Sequence, residues 1–388
     1  MNWDDIIVDA AATDTGMRRS NNQDSHTIVR ASKVETWRQR GHLFMVADGM
    51  GAHAVGELAS KLACDNIPHN YAKAKGSPTE AITRSYKEVG ALIHGKATAN
   101  RDFQGMGTTA STLILLPGGS LIGHVGDSRV YRIRGGRIDQ LSFDHSLAWE
   151  LVRRNHLSAE QADRAVPRNV ITRSLGPDPN VEVDIEGPRP VGPGDVFLLC
   201  SDGLSGPVED PELGAFAGNF HPRDACRYLI QLANLRGGAD NITVLIVRIG
   251  AWTDPDDPEV AAKAPAPLAA NGNKGGWIKG IASGLLASRK KGPASPAAEE
   301  KLYRSCDCPI SEELVERLAE LVRRAQQTAI EQNWPVEWPA LTALRGEANA
   351  DRVSGKLRSA LKNLGEAIDR LGQAGRIYKK SAGPANVG

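Results

Sequence analysis

The hydrophobic pattern of the first 250 residues alternates between two periods. Short apolar runs at Leu43–Ala47, Ser111–Leu116, Leu121–Val125, Val196–Cys200 and Ile242–Ile249 predict buried strands. Two of them flank Pro117-Gly118-Gly119-Ser120, a hairpin signal, and Val130–Arg134 alternates apolar and polar before a second turn at Gly135-Gly136. Between the strands, helical spacing takes over. Glu57–Tyr71 brings Leu58, Leu62 and Ile67 to one face, and Thr79–Ala99 does the same with Ile82, Tyr86, Val89 and Ile93. Ser158-Ala159-Glu160-Gln161 has the pattern of a capping box opening a short helix. Pro222–Leu235 predicts another helix, stopped by Gly237-Gly238. Hairpin-linked strands with helices inserted in pairs imply helices packed on antiparallel sheets, an α+β class.

The pattern breaks after Trp252. Residues 251–299, rich in Ala, Pro, Gly and Lys, offer too little apolar surface to fold alone and predict a flexible linker. Within it, Gly276–Ala287 is a short apolar stretch flanked by Lys274 and Arg289-Lys290-Lys291. Its frequent Gly and weak periodicity favour a linker or docking segment over a helix lying on a membrane. From residue 300 to 388 helical periodicity returns. Leu314, Leu318, Leu321, Val322 and Ala325 form one stripe, and Val353, Leu357, Leu361, Leu364, Ile368 and Leu371 a second. A third helix is expected around Trp334–Leu344, completing a small helical module.

Composition narrows the function. The 388 residues exceed one ordinary core, so 1–250 is expected to be a catalytic domain and 300–388 a separate module. A net charge of +1 carries no general attraction to nucleic acid. Five irregularly spaced cysteines do not make a secreted disulfide framework. The first residues lack a signal-peptide pattern and no run is long enough to span a bilayer, which predicts a cytoplasmic protein without a transmembrane segment. Cys306-Asp307-Cys308 invites a zinc reading, but no His lies beyond His221 to complete a site. No catalytic constellation occurs in 300–388, so that module is expected to dock a protein partner or to self-associate.

The chemistry lies in acidic turns. Asp48-Gly49, Asp202-Gly203 and Asp240-Asn241 adjoin apolar strands, and Asp24 and Asp127 stand in similar polar segments. Each alone reads as an ordinary turn. Together they would repel one another unless divalent cations lay between them, and all-oxygen ligation suits Mg²⁺ or Mn²⁺.

The order of these segments decides the reading. Arg19…Asn22-Gln23-Asp24, Phe44-Met45-Val46-Ala47-Asp48-Gly49-Met50-Gly51, Gly105-Met106-Gly107-Thr108-Thr109 and Gly123-His124-Val125-Gly126-Asp127-Ser128-Arg129 come first. Asp144-His145-Ser146-Leu147, Asn169–Gly176, Leu199-Cys200-Ser201-Asp202-Gly203-Leu204 and Asp240-Asn241-Ile242-Thr243 follow. The series resembles the metal-dependent protein phosphatase family (PPM, protein phosphatase type 2C) of bacteria. That resemblance implies a four-layer α-β-β-α sandwich and a centre of two Mn²⁺ or Mg²⁺ ions. It implies that Asp48 bridges the ions, Asp202 and Asp240 complete one, and the Gly49 carbonyl with a water-linked Asp24 helps to hold the other. Asp127 matches the support of a third, weaker ion, and Arg19 the arginine that orients the substrate phosphate. His145 reads equally as an acid for the leaving alkoxide or as a structural residue.

Three positions depart from the family pattern. Met50 stands where many eukaryotic members have His, Gln23 where Glu is frequent, and Ala52 where Gly is common. The resemblance also makes residues 147–170 a flap beside the site. The activity so implied is hydrolysis of phosphoserine and phosphothreonine in proteins by a water bridging the two ions, opposing a cognate serine/threonine kinase. The competing reading is a catalytically silent scaffold or sensor of the same fold, acting through its helical module.

Overall fold

The computed structural model describes residues 6–51, 55–154, 156, 157, 161, 170–253 and 303–382. Two antiparallel sheets form the centre of the fold. The first sheet orders β1 (Ile7–Asp14), β11 (Ile242–Ile249), β10 (Val196–Cys200), β7 (Arg129–Arg134), β8 (Arg137–Gln140) and β12 (Arg304–Asp307). The second orders β2 (Asp24–Val29), β3 (His42–Met50), β5 (Ala110–Leu116), β6 (Gly119–Val125) and β9 (Asp184–Arg189), with the short β4 (Gly107–Thr108) paired to β3. The inner faces meet in a dry layer containing Phe44, Val46, Leu113, Phe197, Leu199, Leu245 and Val247. Alternation along β3 explains the packing, since Met45 and Ala47 face the opposite way and meet helices.

Those helices are α2 (Val55–Lys73) and α3 (Pro78–Ala99), which cover the second sheet through Ala59, Ala63, Ile67, Ile82, Tyr86 and Val89. Ser77 and Glu80 cap α3 reciprocally, satisfying amide groups that its first turn would leave bare. Leu58 and Leu62, expected on the buried face of α2, pack only partly. The small residues Ala59 and Ala63 form its inner face and allow close approach to the sheet. The short α1 (Val34–Arg40) precedes β3, and α4 (Leu147–Arg153) follows β8. Of the expected capping box, Ser158, Ala159 and Glu160 lie outside the described residues, as do Ala52 and the stretch 276–287.

Over the first sheet lie α5 (Asp202–Ser205), α6 (Asp210–Asn219) and α7 (Pro222–Leu235). The resulting α-β-β-α order is the four-layer sandwich expected. The C-terminal segment does not stand apart from it. Among the described residues, 303–382 fall in the same compact unit as those up to 252. The segment enters through β12, which pairs with β8 and extends the sheet. It then folds as α8 (Glu312–Glu331), α9 (Trp338–Val353) and α10 (Leu357–Ala382). Leu314, Leu318, Leu361, Leu364 and Ile368 join the core built by Tyr131, Leu198, Phe216 and Leu229. Gly365 faces the Tyr228 ring so closely that a Cβ there would sit 2.7 Å from it. Arg227 of α7 ties the contact by ion pairs to Glu366 at 2.7 Å and Asp369 at 2.8 Å. Val353, expected in the second stripe, ends α9 instead and is 73% exposed. Cys306 and Cys308 lie in and just after β12, with Cys308 buried against Gly214.

Among the described residues, no helix is long and apolar enough to cross a membrane.

A shared core predicts shared stability. Leu361→Ala should cost about 2–5 kcal/mol of the stability of the whole chain, read as one cooperative shift in urea unfolding. A two-step transition, with residues 6–253 unmoved, would separate the helices from that core.

Candidate active site

Each candidate aspartate sits where a strand ends. Asp24 opens β2 and Asp48 lies near the end of β3, and the register places the two directly opposite. The backbone of Asp48 is fixed on both sides. Its amide donates to the Thr109 hydroxyl at 2.8 Å, and its carbonyl accepts from the Thr109 amide and the Thr108 hydroxyl. Gly49 follows because a Cβ there would lie 2.0 Å from the Gly56 carbonyl oxygen. Asp202 begins α5 straight after β10, and a Cβ on Gly203 would lie 1.9 Å from the Asn241 carbonyl oxygen. Asp240 precedes β11.

Two residues beside the aspartates tie these ends together. Asn241 donates to the carbonyls of Thr15 and Asn21 and accepts from the Gln23 amide, fastening the Arg19 segment to the start of β11. The Ser201 hydroxyl donates to Asp24 Oδ2 at 2.7 Å and accepts from the Thr243 amide at 2.9 Å. Both stand inside the motifs read from the sequence, but their positioning role is visible only in three dimensions. The Thr109 hydroxyl, which also bonds Ser128 at 2.8 Å, was a third such residue.

The electrostatics show that the aspartates share one site. Burial, then the charges of Asp202 and Asp240, push the Asp24 carboxyl up to about 7, against hydrogen bonds from Ser201 and Thr243. Asp48 is raised well above the ordinary carboxylate range by burial and by the charges of Asp24, Asp202, Asp127 and Asp240. Burial and Asp202 raise Asp127, and burial and Asp240 raise Asp202. Asp24 Oδ1, Asp127 Oδ1 and Asp202 Oδ1 are buried without a hydrogen-bond partner. Bare, buried, mutually repelling oxygens are the donor set that a hard divalent cation satisfies. Among the described residues no three His, Cys, Asp or Glu side chains form a ready coordination cage. The fit to ions rests on donor chemistry and charge.

Arg19 stands at the rim and donates to Asp240 Oδ2 at 2.8 Å. That hydrogen bond, with the fields of Asp240, Asp48 and Asp202, raises its affinity for the proton. A cationic guanidinium half exposed above a carboxylate cluster suits a phosphate oxygen.

His145 is placed differently from the acid role considered for it. Its ring is fully buried. Nδ1 accepts from the Gly126 amide at 3.0 Å, so the proton resides on Nε2, which faces Asp184 Oδ2 at 3.0 Å. Both nitrogens are committed, and the ring fixes the turn leading to Asp127. Gln23 turns its side-chain amide toward the Gly51 carbonyl at 3.4 Å. Cys200 is buried in β10. Of the flap, only α4 and a few residues beyond it belong to the described part.

Comparison with known proteins agrees with this geometry. The protein phosphatase 2C family model matches residues 17–233. A putative protein phosphatase 2C-type from Streptococcus pyogenes is 34% identical over 240 residues, covering 61% of this chain and 94% of the relative. The serine/threonine phosphatase stp of Listeria innocua is 33% identical over 241 residues, with 61% and 93% covered. The solved serine/threonine phosphatase PstP/Ppp of Mycobacterium tuberculosis aligns with a TM-score of 0.57 at 31% identity, over 63% of this chain and 99% of that one. Another structure, the PstP catalytic domain in complex with two manganese ions, aligns with a TM-score of 0.54 at 30% identity, over 63% and 99%. The fold and the site define an α-β-β-α sandwich carrying a buried carboxylate cluster. The chain belongs to the protein phosphatase 2C family.

The repulsion among these carboxylates has a measurable consequence. Asp202→Ala removes one charge from the cluster, so in EDTA the variant should melt higher than the parent, by a shift equivalent to about 1 kcal/mol. The stabilisation that Mn²⁺ gives the parent should be largely lost in it. Thermal melts with EDTA and with Mn²⁺ check both signs.

Proposed function

We propose that this chain is a working serine/threonine protein phosphatase that removes phosphate from phosphoserine and phosphothreonine in proteins. One observation carries the reading: Asp24, Asp48, Asp127 and Asp202, from distant segments, act on one another with Asp240 at their rim, and among the described residues three of their oxygens lack partners. Asp48, Asp202, Asp240, Asp24 and the Gly49 carbonyl would hold two divalent cations, Mn²⁺ or Mg²⁺, with Asp127 supporting a third. Such ions, when bound, lower the pKa of water and screen the charge on a phosphoryl group.

The protein's own groups supply the rest. Arg19 grips the phosphate oxygens and orients the phosphorus toward the carboxylate cluster. Asp240 holds that guanidinium in place from below. Ser201 holds one oxygen of Asp24 by a hydrogen bond, and among the described residues the other is left without a partner. His145 and the Gly126 amide fix the turn from which Asp127 projects. The sequence offers no protein nucleophile for this chemistry, and none is assigned. Phosphorylated proteins in the cytoplasm are the proposed substrates, and a serine/threonine kinase the activity opposed. The silent-scaffold reading is disfavoured, because a scaffold gains nothing from burying carboxylates that destabilise one another.

The test uses p-nitrophenyl phosphate and a phosphothreonine peptide. Mn²⁺ should support turnover of both and EDTA should abolish it, with activity restored by added Mn²⁺. Arg19→Ala should raise KM for both substrates by about tenfold or more, the loss of one charge-assisted phosphate contact. Hydrolysis indifferent to EDTA would refute the assignment.

A further inference from the structure

The loop that carries Arg19 is held from two sides. On one side it lies against the loop leading to β11: the Met17 and Arg18 amides both donate to the Gly238 carbonyl, at 2.7 and 3.1 Å. Gly16 has a positive φ of 77° there, and a Cβ on it would fall 2.1 Å from the Asp240 carbonyl oxygen. The Gly16 amide donates to the buried Asp14 carboxylate at 2.8 Å, which shapes the turn.

On the other side the contacts come from the last turns of α10, far outside the region that the family model matches. Arg376 forms an ion pair with Asp14, and the Lys379 ammonium donates to the Met17 carbonyl. Neighbouring packing fixes the helix where it does this. Trp334 stacks on Tyr378 with ring centroids 6.3 Å apart, and Gly375 lies directly under the Trp334 ring. Arg376 meets the carboxylate that shapes the turn at Gly16, and Lys379 meets a carbonyl two residues before Arg19.

We propose that the end of α10 is a positioning element for the phosphate-binding arginine, with Arg376 and Lys379 as its positioning residues. The C-terminal segment is then part of the active-site scaffold. Arg376 neutralises a buried carboxylate that, among the described residues, would otherwise be paired only with a backbone amide, and so keeps the Asp14–Arg19 turn in one conformation. Lys379 closes the same turn from above. Neither side chain needs to touch substrate. Their effect passes through Arg19, and it deepens the phosphatase reading on which it rests.

That dependence sets the experiment, a double-mutant cycle on the full chain with Mn²⁺. Arg376→Ala should raise KM for p-nitrophenyl phosphate and weaken inhibition by inorganic phosphate about five- to tenfold, with kcat falling less. Calorimetric titration with inorganic phosphate should show the same loss of affinity. In an Arg19→Ala background the same substitution should change these values by less than about twofold, because the group it positions is gone. Arg376→Lys should recover most of the loss. If Arg376→Ala does not fold, Asp14→Asn decides, since it keeps an acceptor for the Gly16 amide while removing the charge that Arg376 meets. The KM rise should then recur. Effects that add fully to Arg19→Ala, or a parental KM in every variant, would overturn the proposal. Absence of Mn²⁺-dependent hydrolysis in the parent would instead overturn the phosphatase reading itself.

Discussion

Mutual repulsion among buried aspartates is the constraint around which this protein is built. Asp24, Asp48, Asp127 and Asp202 are each driven toward the protonated form by burial and by one another's charge. A flexible chain would relieve that strain by turning the side chains to solvent. Here the alternatives are closed by backbone geometry. The Asp24–Asp48 pairing is fixed by sheet register, and the Asp48 peptide is bonded on both sides by Thr108 and Thr109. Asp202 and Asp240 leave adjacent strands whose loops are in contact through Gly203 and Asn241. The sandwich stores unfavourable charge at one end, which cations bound there would release.

Glycine makes this closeness possible. Gly49 and Gly203 each follow a site aspartate, and each occupies a place where a Cβ would overlap a backbone carbonyl within about 2 Å. Asp-Gly at these positions is therefore more than turn chemistry. The aspartate supplies the oxygen, and the glycine lets a second segment approach, the start of α2 at Gly49 and the Asp240 loop at Gly203. This explains why short segments, each indistinguishable from an ordinary turn, identify the site once taken together.

That explanation also marks how far the sequence could be read. Strand runs, hairpin turns and the aspartate motifs are local, and they placed the sandwich and the acidic cluster. What failed to show was pairing across long separations. An amphipathic stripe states that a face is buried without saying against what, so Leu361, Leu364 and Ile368 read as part of a separate module, whereas they pack into the core that α7 shares. The four-and-three spacing that drew Val353 into the last helix runs across a helix break at Gly355, where φ is positive. His145 sits in a motif that a sequence cannot orient, and only the Gly126 and Asp184 contacts reveal that both its nitrogens are committed.

The C-terminal helices change what kind of enzyme this is in physical terms. The outer face of α7 is covered by α10, through Gly365 against Tyr228 and Arg227 against Glu366 and Asp369. α7 in turn ends at the loop that leads through Gly238 to Asp240, and the far end of α10 meets Asp14 and Met17. The same helix thus braces both the helix behind the site and the loop in front of it. A shift of α10 along α7 could not leave the Asp14–Arg19 turn undisturbed, because one rigid element carries both sets of contacts. A force on the exposed surface of these helices would therefore have a mechanical route, through Asp14 and Met17, to the arginine proposed to meet phosphate.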